Sequence, residues 1–441
     1  MTSFSSASEG SSVDSGAAGG SPDRRGSDPD QITFVSNLYP PETIGGAERH
    51  VQRIAERLAD RGYDVAVLTT GKRGSYSRFS FTHSRQAGVD VYRFTPLNMY
   101  TPIDHQGAPG WQKPIHHAVD LWNPHVYRML GGKLDELDPG VVHVHNFGGL
   151  SNAVFLAAAA PDRAVLHTLH DYSFVHVQAS AFKDGQVNDP GPLMRPYQAF
   201  NRRTIEPYLD KVLAPSQFII DTHRDEGVLT EIPCERLPLG VNQDCLAETV
   251  NKPDPRDVFR VLFAGQLTVL KGVDVLVDAV RQIEGLDLRL DVLGKGPERE
   301  SLERRAAGDE RIEFHGFVPD ETLESFYERA HLTVVPSRWY DNSPMVIYES
   351  YAHGTPVLGA EIGGIPELID EGETGYTVPT EDPAALAAQL RHARADIDAE
   401  TFDNARAKGD SLTLATHLES LLGHYRSVLA APAGCPLTEG H

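Results

Sequence analysis

The chain is short of cysteine, of long apolar runs and of basic residues, and each shortage removes a class of function. Its three cysteines, Cys234, Cys245 and Cys435, form no Cys-x-x-Cys pair and cannot make an even disulfide framework, so they read as reduced thiols of a cytosolic protein. No uninterrupted apolar stretch is long enough to span a bilayer. The N-terminus begins with Ser, Gly and acidic residues where a secretory signal needs a basic end and an apolar stretch. Any membrane contact is therefore expected to be peripheral. With 62 acidic against 40 basic residues the formal charge is −22, which repels a polyphosphate over most of the surface and argues against nucleic-acid binding. A Gly-x-Gly-x-x-Gly turn is missing after the first strand of either half, which argues against a dinucleotide-dependent oxidoreductase, and no serine triad or zinc signature stands out.

What is present reads as two α/β domains. A chain of 441 residues exceeds the size at which one hydrophobic core keeps growing, and its 40% hydrophobic and 23% charged residues are globular values. Residues 1–30 are rich in Ser, Gly and Asp, bury too little to offset ordering entropy, and are expected to be a disordered tail. Strand Ile32 to Ser36 runs through a Pro-Pro and Gly-Gly loop into a helix from Ala47 to Arg61, whose Val51, Ile54, Ala55 and Leu58 share one face. Further strands are expected at Tyr63 to Thr69, Val141 to His145, Ala164 to Leu169 and Lys211 to Ala214. Alternation of this kind implies a parallel sheet covered on both faces. After a linker at Asn251 to Asp257 the pattern restarts, with strands at Val258 to Ala264, Leu286 to Val292, Ile312 to Phe314, Leu332 to Val335 and Pro356 to Leu358. The expected units are 31–250, 251–428 and a tail at 429–441, with a last helix from about Leu412 to Leu429 lying across both domains.

The most informative stretch runs from Pro336 to Pro356. Ser343 suits an N-cap and Pro344 a first helical residue, so a helix is expected to start there, at the carboxyl end of strand Leu332 to Val335, where open sheets bind ligands. Free N–H groups near Met345 and Val346 would form an anion site suited to a diphosphate. Glu349 lies roughly 6 Å further along the axis, about the step from a diphosphate to the ribose of the same nucleotide, where its carboxylate can accept both ribose hydroxyls. Asp341 sits ahead of the helix, in reach of donor-sugar hydroxyls, and Asn342 and Ser343 lie in the same donor-binding loop. Gly265, Gln266 and Lys271 follow strand Val258 to Ala264, and Lys271 brings a charge to a helix start, where it could neutralise a leaving diphosphate.

In the first domain Gly45 and Gly46 let a backbone approach a ligand and lead into a helix start. His143 and His145 alternate on one strand face, which raises the question of a metal, but no third ligand stands at a recognisable spacing and none is expected. Asp171 is the carboxylate nearest in sequence to His170 for a double displacement. Arg49, Arg53, Arg57 and Arg61 recur every fourth residue. They make either a stripe for anionic lipid or a solvated face paired with Glu48, Glu56 and Asp60. The loops Pro96 to Pro114 and Tyr172 to Pro196 are where an acceptor is expected, since loops carry specificity.

Asp341 and Glu349, spaced acid-x7-acid and followed by Ala352, Gly354, Pro356 and Val357, resemble the signature of the retaining GT-B glycosyltransferases of family four. Gly265 to Gly272 resembles the family's phosphate loop, with Gln266 where Arg is usual, and Asp341 stands where Glu is usual. Gly294-Lys295-Gly296-Pro297 resembles the family's glycine turn, and His315-Gly316-Phe317-Val318 the segment whose backbone faces the base. The resemblance covers about residues 31 to 428. It implies two Rossmann-like domains facing across a cleft, and a glycosyl group moved with retention from a nucleotide-diphosphate sugar to a hydroxyl of a glycan, lipid-linked or small-molecule acceptor. It further implies no metal requirement, the Gly45–Gly46 loop against the donor phosphates, and His170 at the donor sugar. A sugar-nucleotide epimerase of the same fold, or a binding protein that has lost catalysis, are the alternatives.

Overall fold

The computed structural model describes residues 29–42, 45–104, 109–177, 179, 182–183, 186–187, 190–242, 246 and 252–430. The expected N-terminal tail up to residue 28, Cys245, and residues 431–441 with Cys435 lie outside these.

The first half holds strands β1 (Gln31–Ser36), β2 (Asp64–Thr70), β3 (Thr82–Gln86), β4 (Val89–Phe94), β5 (Val141–Val144), β6 (Ala164–Thr168), β9 (Lys211–Ala214) and β10 (Cys234–Arg236). A separate two-stranded hairpin is formed by β7 (Phe182–Lys183) and β8 (Gln186–Val187). The eight-stranded sheet has the order β10-β9-β6-β5-β1-β2-β4-β3, parallel throughout except for the β3–β4 hairpin. The second half holds β11 (Phe259–Ala264), β12 (Leu288–Leu293), β13 (Ile312–Gly316), β14 (Leu332–Val335), β15 (Val357–Ala360) and β16 (Gly375–Val378) in the parallel order β13-β12-β11-β14-β15-β16. Central strands are buried along nearly their whole length and rich in apolar residues because helices cover both faces.

In each sheet the chain builds outward from its first strand on one side and then returns to build on the other. The reversal falls between β1 and β5 in the first sheet and between β11 and β14 in the second. Loops leaving the two reversal strands diverge and leave a crevice at their carboxyl ends, so ligand-facing residues are expected in the loops after β1, β5, β11 and β14.

The last helix, Leu414–Ala430, packs differently from expectation. It was expected across both domains and within the second, but its Leu414, Leu418, Leu421, Leu422, Tyr425 and Val428 join Ile32, Phe34, Val51 and Ile54 in one buried cluster on the first sheet. Its apolar face finds an uncovered strip of that sheet, and its end runs past the expected boundary to Ala430. The expected linker is pinned as well. Lys252 Nζ donates to the Tyr327 carbonyl and to Thr355 Oγ1, both at 2.6 Å.

Candidate active site at the two sheet crevices

Two loops interlock at the second crevice. Gly272, which follows β11 and a short 3-10 turn at Val269–Lys271, has φ +64°, and a Cβ on it would lie 2.0 Å from the Pro336 carbonyl oxygen. Only glycine permits this backbone contact. Arg338 N–H donates to the Leu270 carbonyl at 2.9 Å, closing the same junction. The turn Gly294–Pro297 braces the first loop from behind, through Leu267 N–H to the Lys295 carbonyl at 3.0 Å. As a result Lys271 Nζ meets Asp341 Oδ2 at 2.5 Å, although the residues are 70 apart in sequence. The Lys271 side chain keeps about a quarter of its surface exposed beside the Trp339 ring, whereas that of Asp341 keeps a tenth. Gly265 and Gln266 stand exposed at the rim of the crevice.

Asp341 is held from the other side by Gly363 and Gly364, which sequence reasoning missed. Gly363 has φ +62° and its Cβ position lies 2.5 Å from the Asp341 carbonyl oxygen, while Gly364 N–H donates to that oxygen at 2.8 Å. The legible signal was the Gly-Gly-Ile-Pro-Glu run just after β15.

The helix after β14 starts later than expected. It spans Met345–Ala352 with Pro344 as N-cap, and no side chain caps it. Ser343, expected to cap, bonds instead to the Tyr348 hydroxyl at 2.6 Å, because that buried phenol needs a partner. The Tyr348 oxygen also accepts from Leu239 N–H at 3.1 Å. The first N–H groups of a helix have no partner inside it, so those of Met345 and Val346 are open to an anion. Glu349 follows one turn later and accepts from the buried Tyr327 hydroxyl at 3.0 Å, another partner the sequence did not disclose. Burial raises the Glu349 carboxyl above its usual range, while the Tyr327 hydroxyl and the charges of Arg53 and Arg49 draw it down.

Arg49 and Arg53 belong to the first domain, so the two crevices face each other. Direct bonds join them. Asn342 Nδ2 donates to the His170 carbonyl at 2.8 Å, and the Tyr172 hydroxyl donates to Asn342 Oδ1 at 2.6 Å. The Asn342 side chain is thus occupied by the opposite domain. Glu367 receives Gln217 N–H at 2.8 Å and Phe218 N–H at 2.7 Å, where the helix Gln217–Asp225 begins, and pairs with Arg236 at 2.9 Å.

On the first side, helix Gly46–Asp60 begins beyond Gly45, whose N–H donates to Glu48 Oε2 at 2.8 Å. Glu48 therefore caps its own helix and is not available to the arginines. Arg61 pairs with Glu419 at 2.7 Å. His170, just past β6, accepts or donates through Nε2 to His145 Nδ1 at 2.8 Å. The other nitrogen of His145 is buried without a partner. A bare buried lone pair is commoner than an orphaned N–H, so the hydrogen-bond network assigns the proton to His145 Nδ1. His170 Nε2 then accepts, and its Nδ1 carries the proton. Burial, with the His417 charge, lowers His170 to about 4, so the ring is neutral at neutral pH. Asp171 does not lie free as a nucleophile would, because Oδ1 accepts from Ser173 N–H at 2.9 Å in its own turn.

The His143 ring bonds to Tyr425 and Thr168 hydroxyls, each at 2.8 Å, which leaves no nitrogen for a metal. Asp291, Glu313 and His315 place three ligand atoms within 4.8 Å of one another. His315 and Asp291 are however bonded together at 2.6 Å, and the Arg329 cation lies 3.8 Å from Asp291, which opposes a second cation. Phe317 is exposed with Lys295 over its ring. Of the expected acceptor loops, residues 105–108 and much of 178–189 lie outside the described residues. Ser173 to Val175 are clamped by Tyr197, Gln198 and Asn201.

Residues 258–396 match the family model described as glycosyl transferases group 1, and residues 45–240 match that of a glycosyl transferase 4-like domain. The chain is 28% identical over 417 residues to a D-inositol 3-phosphate glycosyltransferase of Acidothermus cellulolyticus, covering 88% of this chain and 86% of that one. It is 24% identical over 337 residues to an uncharacterized 42.6 kDa protein in the cps region of Klebsiella pneumoniae, covering 76% and 87%. Its fold is similar to that of a sucrose-phosphate synthase from Thermosynechococcus elongatus, with TM-score 0.71, 21% identity and coverage of 91% and 99%. Similarity extends to Anabaena HepE in complex with UDP, with TM-score 0.64, 18% identity and coverage of 90% and 100%.

Proposed function

The chain belongs to the group 1 glycosyltransferases of GT-B fold, and from that premise we propose how its residues divide the work of transfer. It moves a glycosyl group from a nucleotide-sugar donor, and the matched models favour this over epimerisation or binding alone. The observation that carries the assignment of roles is the meeting of Lys271, Asp341, the helix start at Met345, and Glu349 at one crevice, bonded across the cleft to the His170 loop.

The nucleoside diphosphate lies with its phosphates at the Met345 and Val346 N–H groups, and its ribose at Glu349. One Glu349 oxygen is already bonded by Tyr327, so the other is left for a ribose hydroxyl. Lys271 faces the leaving phosphate, and Asp341 orients Lys271 while accepting from donor-sugar hydroxyls. Gly45 and Gly46 let the first-domain backbone close on the donor. The neutral His170 offers Nδ1–H as a hydrogen-bond donor to the sugar. When the bond from the anomeric carbon to the phosphate oxygen breaks, its electron pair stays on that oxygen. The acceptor hydroxyl bonds the same carbon from the same face, giving retention, and its proton leaves with the diphosphate. No metal is invoked, because fixed N–H groups and the chain's own cationic side chains, Lys271 among them, bring positive potential to the diphosphate. The acceptor is a hydroxyl of a glycan, lipid-linked or small molecule, and the reaction runs on the cytoplasmic side.

Calorimetry with nucleoside diphosphates in the presence of a chelator tests this reading. One of them is expected to bind in the micromolar range, and Glu349→Ala to remove the binding. Unchanged binding by that variant would refute the ribose assignment.

A further inference from the structure

Positive charge near the diphosphate position is scarce, and most of it is already engaged. Lys271 is paired with Asp341, Arg338 with Asp274 at 2.8 Å and with Glu381 at 3.2 Å, and Lys295 lies over the Phe317 ring. Gln266 brings no charge. Bond breaking nevertheless adds a negative charge to the diphosphate, in a cleft that belongs to a chain of net charge −22. The second domain alone leaves that charge undercompensated.

The opposite wall holds two uncommitted guanidinium groups. His50, on the helix Gly46–Asp60, lies beside His170, with ring centroids 6.1 Å apart, which fixes the turn of this helix that meets the cleft. Arg49 stands next to His50 and Arg53 one turn further on, so the two arginines share a helix face at that turn. Arg49 is exposed and Arg53 half-buried, and neither has a carboxylate within ion-pair distance among the described residues. Arg61, at the far end of the same stripe, is paired with Glu419 of the last helix. The stripe thus divides, with its distal end tied to the first domain and its proximal end at the cleft. Consistent with this, the charges of Arg53 and Arg49 act on Glu349 in the second domain.

We propose that Arg49 and Arg53 form the first-domain half of the diphosphate site and take up the charge that collects on the leaving nucleoside diphosphate. The step is the one written above, with the electron pair of the broken bond on the phosphate oxygen and the acceptor's proton carried off with the diphosphate. The inference rests on the transfer reading and adds a division of labour to it. Lys271 and the Met345 helix start hold the donor before reaction, whereas the arginines complete the site only with the two domains facing each other. Stabilisation of developing charge then depends on the closed cleft, and opening it weakens the hold on the product.

The test is calorimetric titration of nucleoside and nucleoside diphosphate into wild-type protein and into Arg49→Gln, Arg53→Gln and Arg53→Lys variants, with transfer kinetics alongside. The ratio of the two affinities within each variant is independent of the fraction folded. For Arg53→Gln the diphosphate affinity is expected to fall on the order of tenfold with nucleoside affinity unchanged. Arg53→Lys is expected to recover part of the loss, and kcat to fall more than donor KM rises. Unchanged diphosphate affinity and kcat in both glutamine variants would overturn the proposal. So would unchanged affinity together with lost binding to vesicles of anionic phospholipid, which would assign the arginines to a membrane surface. Failure of the wild-type protein to bind any nucleoside diphosphate would instead remove the donor-site reading on which the proposal stands.

Discussion

His170 illustrates how a neighbour decides what a residue can do. The histidine was visible in sequence at the end of a strand, but which nitrogen carries its proton depends on His145, and the two rings meet only when β5 and β6 pair. Replacing His145 by Ala is expected to lower kcat on the order of tenfold with little change in donor KM, since the tautomer of His170 is no longer set. His145→Asn, whose amide N–H can stand in for Nδ1–H, is expected to restore most of the rate. Equal rates for the wild-type and Ala proteins would show that His145 has no such role. Glu349 gives a similar lesson. Its type and position were legible from helix spacing, but the loss of one oxygen to Tyr327 was not, because Tyr327 comes from another helix, Asp320–Arg329.

At the scale of elements, the strands were well marked because buried parallel strands are mostly apolar. Leu332–Val335 and Lys211–Ala214 fall where the sequence put them. The edge hairpin β3–β4 escaped notice, since the Thr82–Gln86 strand is polar and mostly exposed at the rim of its sheet. The helix start at Met345 was misjudged because local capping preference gave way to the hydrogen bond between Ser343 and Tyr348. Loop shape mattered more than propensity at Gly272. Gly272→Ala would place a methyl 2.0 Å from the Pro336 oxygen at a positive φ, so the two loops must separate. Transfer activity is expected to be largely lost and the urea midpoint to fall, as measured by kinetics and denaturation of the purified variant. Full activity would mean that the loops are not locked together as described.

The whole molecule is organised by two crevices that face each other. Asn342, Tyr172 and Glu367 tie them together from opposite sides of the cleft. Behind the first crevice, the buried His50, His143, His145 and His417 and the half-buried His170 gather from a helix, adjoining strands and the last helix into one group. Burial is the largest cause of their low pKa values. It brings His170 and His417 to about 4 and the others well below 6.5. An unfolded histidine protonates near 6.5, so between about 6.5 and 4 the unfolded chain binds more protons than the folded one. Stability is therefore full above that window and falls as the pH drops through it. Asp120, raised by burial to about 6, works in the opposite direction, as do Asp171, Glu206, Asp210 and Glu349, which burial raises as well. These carboxyls are outnumbered once His167, His223, His331 and His353, also lowered by burial, are added to the group. The urea midpoint is expected to be clearly lower at about pH 5 than at about pH 7. An unchanged midpoint would show that these histidines are not held neutral.

Sequence by itself determined the two-domain α/β architecture, the spacing of Asp341 and Glu349, and the loop that carries Lys271. Those features are written in local periodicity and in residue separations along one strand-loop-helix unit. Tertiary structure decided the pairing of Lys271 with Asp341, the seating of the last helix on the first sheet, and the placing of the Gly46–Asp60 helix beside the His170 loop through His50. Each joins residues far apart in the chain, and such contacts follow from how whole elements cover each other's apolar faces, which no local pattern encodes.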